Sequence, residues 1–250
     1  MSLKGYNYLL KIEYDGTKFV GWQYQKNGTS IQEKIEKALF KLLKLKVRVT
    51  GAGRTDKGVH ALAQFANFKV NKKIESEKKF LASLNYFLGK NLISIINIKR
   101  KNSFFHSRFD AIERTYEYRI INREGSLSIN NNKAWLVKKK LDINLLKKGA
   151  RVLEGTHDFS TFRASTCSAK SPIKKMNMVN VKKTGSQIVI TFKSKSFLQN
   201  QVRSMVGSLK YLSSGKWSLR EFNKAFKSKK RFNCAPPAPA CGLFLKNIKY

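Results

Sequence analysis

One aspartate, two cations and three glycines fall within eight consecutive residues, Gly51-Ala52-Gly53-Arg54-Thr55-Asp56-Lys57-Gly58. Positive charge on Arg54 and Lys57 favours the ionised form of the carboxylate between them. An ionised carboxylate suits a nucleophile or a base better than a general acid. The glycines let the backbone bend sharply and let another chain come close. An aspartate in a turn also hydrogen-bonds its own backbone, so residue chemistry alone leaves Asp56 open between a catalytic and a turn-forming role. Two nucleotide-binding readings fail. The dinucleotide fingerprint needs a helix after its glycines, whereas residues 59–70 read as a strand. Gly53 and Gly58 have the spacing of a phosphate-binding loop, but Val59 and His60 stand where Lys and Ser or Thr would be needed.

The elements that must hold this loop follow from periodicity. Residues 6–14 alternate, with Tyr8, Leu10, Ile12 and Tyr14 on one face, as a half-buried strand requires. Ser30-Ile31-Gln32-Glu33 is a capping box that opens an amphipathic helix to about residue 45. Residues 46–50 alternate Val47 and Val49 with polar neighbours and predict a short strand before the loop. Phe80, Leu81, Leu84, Phe87 and Leu88 mark a second helix, and residues 92–99 a further strand. The order strand, helix, strand, strand, helix, strand is ferredoxin-like. It recurs in the second half: a strand at 114–121, a helix marked by Ile143, Leu146, Ala150 and Leu153, strands at 174–182 and 187–195, a helix from Val202 to Leu212, and a last strand at 243–250. A second capping box, Ser218 to Glu221, opens an added short helix. The expected fold class is α+β, with two ferredoxin-like (RRM-like) halves built on antiparallel sheets. Residues 1–103 form an N-terminal domain carrying the Asp56 loop, and residues 104–250 a C-terminal one.

Charge narrows the partner. Lys and Arg number 51 against 15 acidic residues, a net charge of +36. Such a field attracts polyanions, nucleic acid first and an anionic membrane surface second. Lysine richness also follows from AT-rich coding, so the charge alone does not decide. Phe19, Trp22 and Tyr24 offer aromatic faces that either stack on bases or pack in a core. Cys167, Cys234 and Cys241 are odd in number and form no C-x-x-C pair, which argues against a disulfide framework and a zinc site. His60, His106 and His157 are far apart in sequence. No apolar run has the length of a signal peptide or a membrane span, so a cytoplasmic location and no membrane partner are expected.

Gly53-Arg54-Thr55-Asp56-Lys57-Gly58-Val59-His60-Ala61 resembles the signature loop of the TruA-type tRNA pseudouridine synthases. Other segments match that family in order along nearly the whole chain. They are Tyr14-Asp15-Gly16-Thr17-Lys18-Phe19 with Gly21-Trp22-Gln23, Phe105-His106-Ser107-Arg108-Phe109, Arg114-Thr115-Tyr116-Glu117-Tyr118, and Gly155-Thr156-His157-Asp158-Phe159 with Phe162-Arg163. Phe197-Leu198, Val202-Arg203-Ser204-Met205-Val206-Gly207-Ser208 and Gly242-Leu243-Phe244-Leu245 complete the set.

The resemblance implies an isomerase without metal or cofactor. Such an enzyme cuts the bond between uracil N1 and ribose, rotates the base and rejoins it through C5. Its targets would be uridines 38, 39 and 40 in the anticodon stem-loop of tRNA. It would work as a homodimer with the tRNA laid across a basic cleft flanked by the two halves. Residue by residue, Asp56 maps onto the nucleophile; attack at ribose C1′, attack at uracil C6 and a glycal path all stay open. Arg203 maps onto the cation paired with it, and Tyr116 onto the tyrosine that packs on the target base and serves proton transfer at C5. Leu245 maps beside the uracil. Arg54 would hold phosphate or fill the space of the flipped base. His106 and His157 read as structural or RNA-contacting. Lys57, Ser107 and Gln199-Asn200-Gln201 depart from the common pattern. A non-catalytic RNA-binding module is the competing reading, but it would show an aromatic RNP1 run that is absent here. A related synthase acting on other RNAs is the third.

Overall fold

The computed structural model describes residues 5–250. In chain order it begins with strand β1 (Tyr6–Tyr14), helix α1 (Ile31–Leu43), a two-residue strand β2 (Thr50–Gly51), β3 (His60–Val70), α2 (Glu77–Leu88) and β4 (Ile93–Lys101). There follow β5 (Glu113–Asn122), β6 (Trp135–Val137), α3 (Ile143–Leu153), β7 (Gly155–Asp158), β8 (Ile173–Thr184) and β9 (Gln187–Ser194). Helices α4 (Gln201–Ser213) and α5 (Leu219–Lys227) and the strand β10 (Leu243–Lys249) end the chain. The architecture is mixed α+β with mostly antiparallel strand pairs. It divides into two compact units, one of residues 1–112 with 245–250 and the other of residues 113–244.

In the first unit the strands run in the order β4-β1-β3-β10, with β2 also paired to β3. β1 is antiparallel to both β3 and β4. The period-2 expectation for β1 holds: Tyr8, Leu10, Ile12 and Tyr14 are all buried. Ile31, Ile35, Ala38 and Leu39 of α1 and Phe80, Leu84 and Leu88 of α2 are buried as well. Tyr8 stacks on Phe68, and Phe68 on Phe80, with centroids 5.8 and 6.1 Å apart. The capping box at Ser30 forms as expected: its side chain accepts from the Glu33 amide, and Glu33 reaches back to the Ser30 amide.

The strand expected at 46–50 is mostly absent. Val47 and Val49 are buried, which accounts for the alternation, but only residues 50 and 51 join the sheet. The reason lies in α1. Glu36 Oε1 accepts from the Val49 amide at 2.9 Å, and Gln32 Nε2 donates to the Val49 carbonyl at 3.2 Å. Side chains of the helix satisfy the backbone groups that a strand partner would otherwise take.

In the second unit β5, β9, β8 and β7 are neighbours in that order and antiparallel, while β6 lies parallel on β5. The core joins Tyr118 and Ile120 of β5 and Ile188, Ile190 and Phe192 of β9 to Leu146, Ala150 and Leu153 of α3 and Met205, Val206, Leu209 and Leu212 of α4. Phe159, Phe162 and Phe226 form an aromatic cluster with centroids 5.3 to 6.3 Å apart. The second capping box, at Ser218, also forms. Strands β6 and β7 were not expected from the sequence; with three and four residues they are too short to show a period.

Candidate active site

The Asp56 loop joins β2 to β3 and is tied down along its length. The Ala52 amide donates to Phe65 O at 2.7 Å, and Gln64 Nε2 donates to Gly53 O at 2.9 Å. Thr55 is buried; its hydroxyl lies 2.8 Å from the Tyr14 hydroxyl, and its carbonyl accepts from the Trp22 amide at 3.0 Å. The Val59 amide closes a turn on Asp56 O at 3.2 Å, with Gly58 at a φ of 77°. These bonds fix the backbone on both sides of Asp56, which is half-buried. Arg54 and Lys57 beside it are exposed. The loop is thus a rigid mount for a carboxylate with two cations at its rim.

The motif around residues 15–23 is the buttress of that mount. Gly21 and Trp22 accept, through their carbonyls, from the Ile31 and Gln32 amides at 3.1 and 3.0 Å. Those amides open α1, where helical geometry leaves N–H groups without partners inside the helix. The same two-residue step therefore grips α1 on one side and Thr55 on the other. Gly21 has a φ of 117°, and a Cβ there would stand 2.7 Å from Thr55 O. A Cβ on Gly51 would meet the Trp22 ring at 2.5 Å. His60, fully buried, has Nδ1 3.1 Å from both the Gly16 amide and Asp15 Oδ1. A neutral ring accepts from Gly16 there; a protonated one would pair with Asp15. Phe19 and Trp22 are buried and serve the core. Tyr24 is exposed.

Leu245, in the part of β10 that belongs to the first unit, is fully buried. Arg54, Asp56 and Leu245 thus lie in the first unit, and Tyr116 and Arg203 in the second.

In the second unit, Tyr116 sits on β5 opposite Phe192 of β9. It is mostly buried, and its ring meets Phe197 edge-on at 5.1 Å and 83°. Tyr118 is fully buried, and its hydroxyl donates to Pro239 O at 2.7 Å. Burial pushes that phenol far above its ordinary range. Tyr118 is thereby a neutral donor within the fold.

Arg203, half-buried in the first turn of α4, donates through Nε to Ala238 O at 2.8 Å and through Nη1 to Asn200 Oδ1 at 3.3 Å. Its own carbonyl accepts from the Ala238 amide at 2.9 Å. Asn200 makes no side-chain cap to the helix and turns its oxygen to the guanidinium instead. Gly207, one turn on, lets α4 touch the same segment; a Cβ there would stand 2.0 Å from Pro236 O. The guanidinium is held in one orientation at the helix start.

Residues of the motif at 155–163 are held by contacts with nearby backbone and rings. His157 Nε2 lies 2.6 Å from Glu154 O, and its ring meets Phe226 edge-on at 5.4 Å. Asp158 caps the Ser160 amide. Arg163 donates to the carbonyls of Cys167 and Ala169. Among the described residues no three His, Cys, Asp or Glu side chains gather as a metal site would require, and no helix is long and apolar enough to cross a membrane. Sequence reasoning missed Tyr14, Thr55, Gln32 and Glu36 as positioning residues. Tyr14 and Thr55 lie in segments that match the family, but nothing in those matches links the two.

The match of whole sequences settles the class. A family model described as tRNA pseudouridine synthase matches residues 11–110 and 150–250, and the chain belongs to that family. It is an isomerase acting on uridine in tRNA. The chain is 54% identical over 245 residues to the tRNA pseudouridine synthase A of Pelagibacter ubique, covering 98% of this chain and all of that protein. It is 43% identical over 243 residues to the enzyme of the same name from Maricaulis maris, with 97% of each covered. A third, from Beijerinckia indica, is 44% identical over 97% of this chain and 93% of its own. Arg54, Asp56, Arg203 and Leu245 fall within the spans matched by the family model; Tyr116 falls between them and is covered by the relatives.

Proposed function

We propose that the chain converts uridine to pseudouridine at positions 38, 39 and 40 of the tRNA anticodon stem-loop, with Asp56 as nucleophile. The observation that carries this reading is a half-buried carboxylate on a loop pinned from β3, from Tyr14 and from Trp22, in a chain of this family. A nucleophile must be held still while a bulky substrate is brought to it. The mount around Asp56 supplies that rigidity, and the exposed Arg54 supplies a phosphate ligand beside it.

The target uridine is stacked in a stem and leaves it before reaction. Arg54 occupies the gap or holds the displaced backbone. Asp56 attacks at ribose C1′ or uracil C6, or acts through a glycal. Arg203 keeps the carboxylate ionised and oriented, as a fixed guanidinium does for an oxygen pair. Tyr116 packs on the base and handles the proton at C5. Leu245, fully buried, backs the uracil site from within the core. The reaction needs no metal or cofactor: bond cleavage and re-formation both occur within one nucleotide.

We further read the fold as two ferredoxin-like halves. The order β4-β1-β3-β2 in the first unit supports this. The expected boundary near residue 103 and the unit boundary at Ile112 fall in one connecting segment. A homodimer in the cytoplasm completes the reading, and three free cysteines suit a reducing compartment.

The deciding experiment incubates unmodified tRNA transcripts with wild type and Asp56→Ala, and maps pseudouridine by carbodiimide treatment and primer extension. Modification at 38–40 is expected with wild type. It should vanish in Asp56→Ala, while tRNA binding persists. Stops elsewhere would reassign the target site, and an active Asp56→Ala would remove Asp56 as nucleophile.

A further inference from the structure

The segment between β4 and β5 is two tight turns around a buried pivot. Asn102 Oδ1 accepts from the amides of Phe104 and Phe105 at 3.1 and 2.7 Å. His106 O accepts from the Phe109 and Asp110 amides at 3.1 and 3.0 Å, and Asp110 Oδ2 accepts from the His106 amide at 2.9 Å. Nδ1 of His106 accepts from the Arg108 amide at 3.1 Å. Ser107, the pivot, is fully buried. Its hydroxyl donates to Thr50 O at 2.6 Å, its amide to Asn67 Oδ1 at 3.0 Å, and its carbonyl accepts from the Tyr250 hydroxyl at 2.9 Å.

Burial therefore divides the segment. Phe105, Ser107 and Ala111 turn inward, while Phe104 and Phe109 are 93% and 71% exposed. The Phe109 ring lies against the His106 ring with centroids 4.3 Å apart, and the Arg108 guanidinium stands 5.8 Å from the Phe109 centroid. Burial of a phenylalanine side chain is ordinarily a substantial stabilising term, and this segment forgoes it twice. The network of hydrogen bonds excludes looseness as the reason. Ser107 also ties the rings to Thr50, the residue that opens β2 ahead of the Asp56 loop.

We propose that Phe104 and the His106–Phe109 pair form a stacking platform for an unpaired base of the tRNA, with Arg108 on the adjoining phosphate. The proposal rests on the tRNA-modifying reading above. An aromatic face accepts any base, because every base has a π-face, and a guanidinium beside it suits the linked phosphate. Two exposed rings, one of them beside a cation, on a chain of net charge +36 fit a polyanion with flat apolar bases. They do not fit a neutral apolar protein surface.

The test measures tRNA binding to wild type, Phe104→Ala, Phe109→Ala and Phe104→Trp, with sedimentation of each protein. The alanine variants should weaken Kd about tenfold each. They should leave the slope of log affinity against log salt unchanged, since no phosphate contact is lost. Phe104→Trp should keep wild-type affinity, and tRNA should quench more of its emission than that of the wild type, which has Trp22, Trp135 and Trp217 as background. Unchanged affinity in both alanine variants would sink the platform, as would absent extra quenching. Weaker binding that tracks a change in oligomeric state would hand the rings to a subunit contact and overturn the proposal too. Wild type that fails to bind tRNA at all would overturn the reading beneath it, a result the variants cannot imitate.

Discussion

Asp56 and Arg203 show how differently two charged residues can be held. Around Asp56 the backbone is fixed: Thr55 is bonded through its hydroxyl and carbonyl, and the Asp56 carbonyl accepts from the Val59 amide. Arg203 owes its place to its side chain, which grips Ala238 and Asn200. Lysine at 203 keeps the charge but loses the fork, because an ammonium is a single point. On the proposed role of Arg203 as the cation that orients Asp56, Arg203→Lys should lower kcat by at least about tenfold and leave KM for tRNA nearly unchanged. Steady-state kinetics on a transcript checks this; an equal loss in KM would mean that Arg203 binds RNA instead. The sequence named both residues by family resemblance and could name neither role by chemistry alone. It also could not show Tyr14 and Thr55 as a pair, because that bond joins residues 41 positions apart.

Among the elements, α1 has the widest reach. Its first amides are taken by Gly21 and Trp22, and its Gln32 and Glu36 side chains hold Val49 just before the loop. Its capping box was legible because Ser30 and Glu33 are three residues apart. The false strand at 46–50 was equally legible and wrong. Alternation reports burial, and burial arises here without a strand partner. Loss of the Ser30 cap removes an acceptor for the Glu33 amide. Ser30→Ala should cost about 1 kcal/mol, read as a lower midpoint in urea with an unchanged slope. A change in the slope as well would show that the substitution alters the surface exposed on unfolding.

The whole molecule is dominated by its charge. Thirty-nine of the 51 basic residues are lysines, the side chain that meets phosphate as a compact point charge. If this field serves tRNA, raising salt from 50 to 200 mM should weaken binding steeply, on the order of a thousandfold for about six neutralised phosphates. Filter binding across that range measures it. A flat response would mean that the lysines reflect coding bias and that affinity comes from a few contacts. A division into two parts was expected from the recurring order of elements. The return of residues 245–250 to the first unit was not, since a final strand carries no mark of the unit it will join.

Gly21 and Gly51 bring no atom to a uridine, yet the Asp56 loop closes around the space that their missing side chains leave. Tolerance to substitution should therefore not decay smoothly with distance from the carboxylate. In the lineage of this chain, those two positions are expected to be as unyielding as Asp56, for a reason that is steric and not chemical. Much of what selection guards here is an absence of atoms.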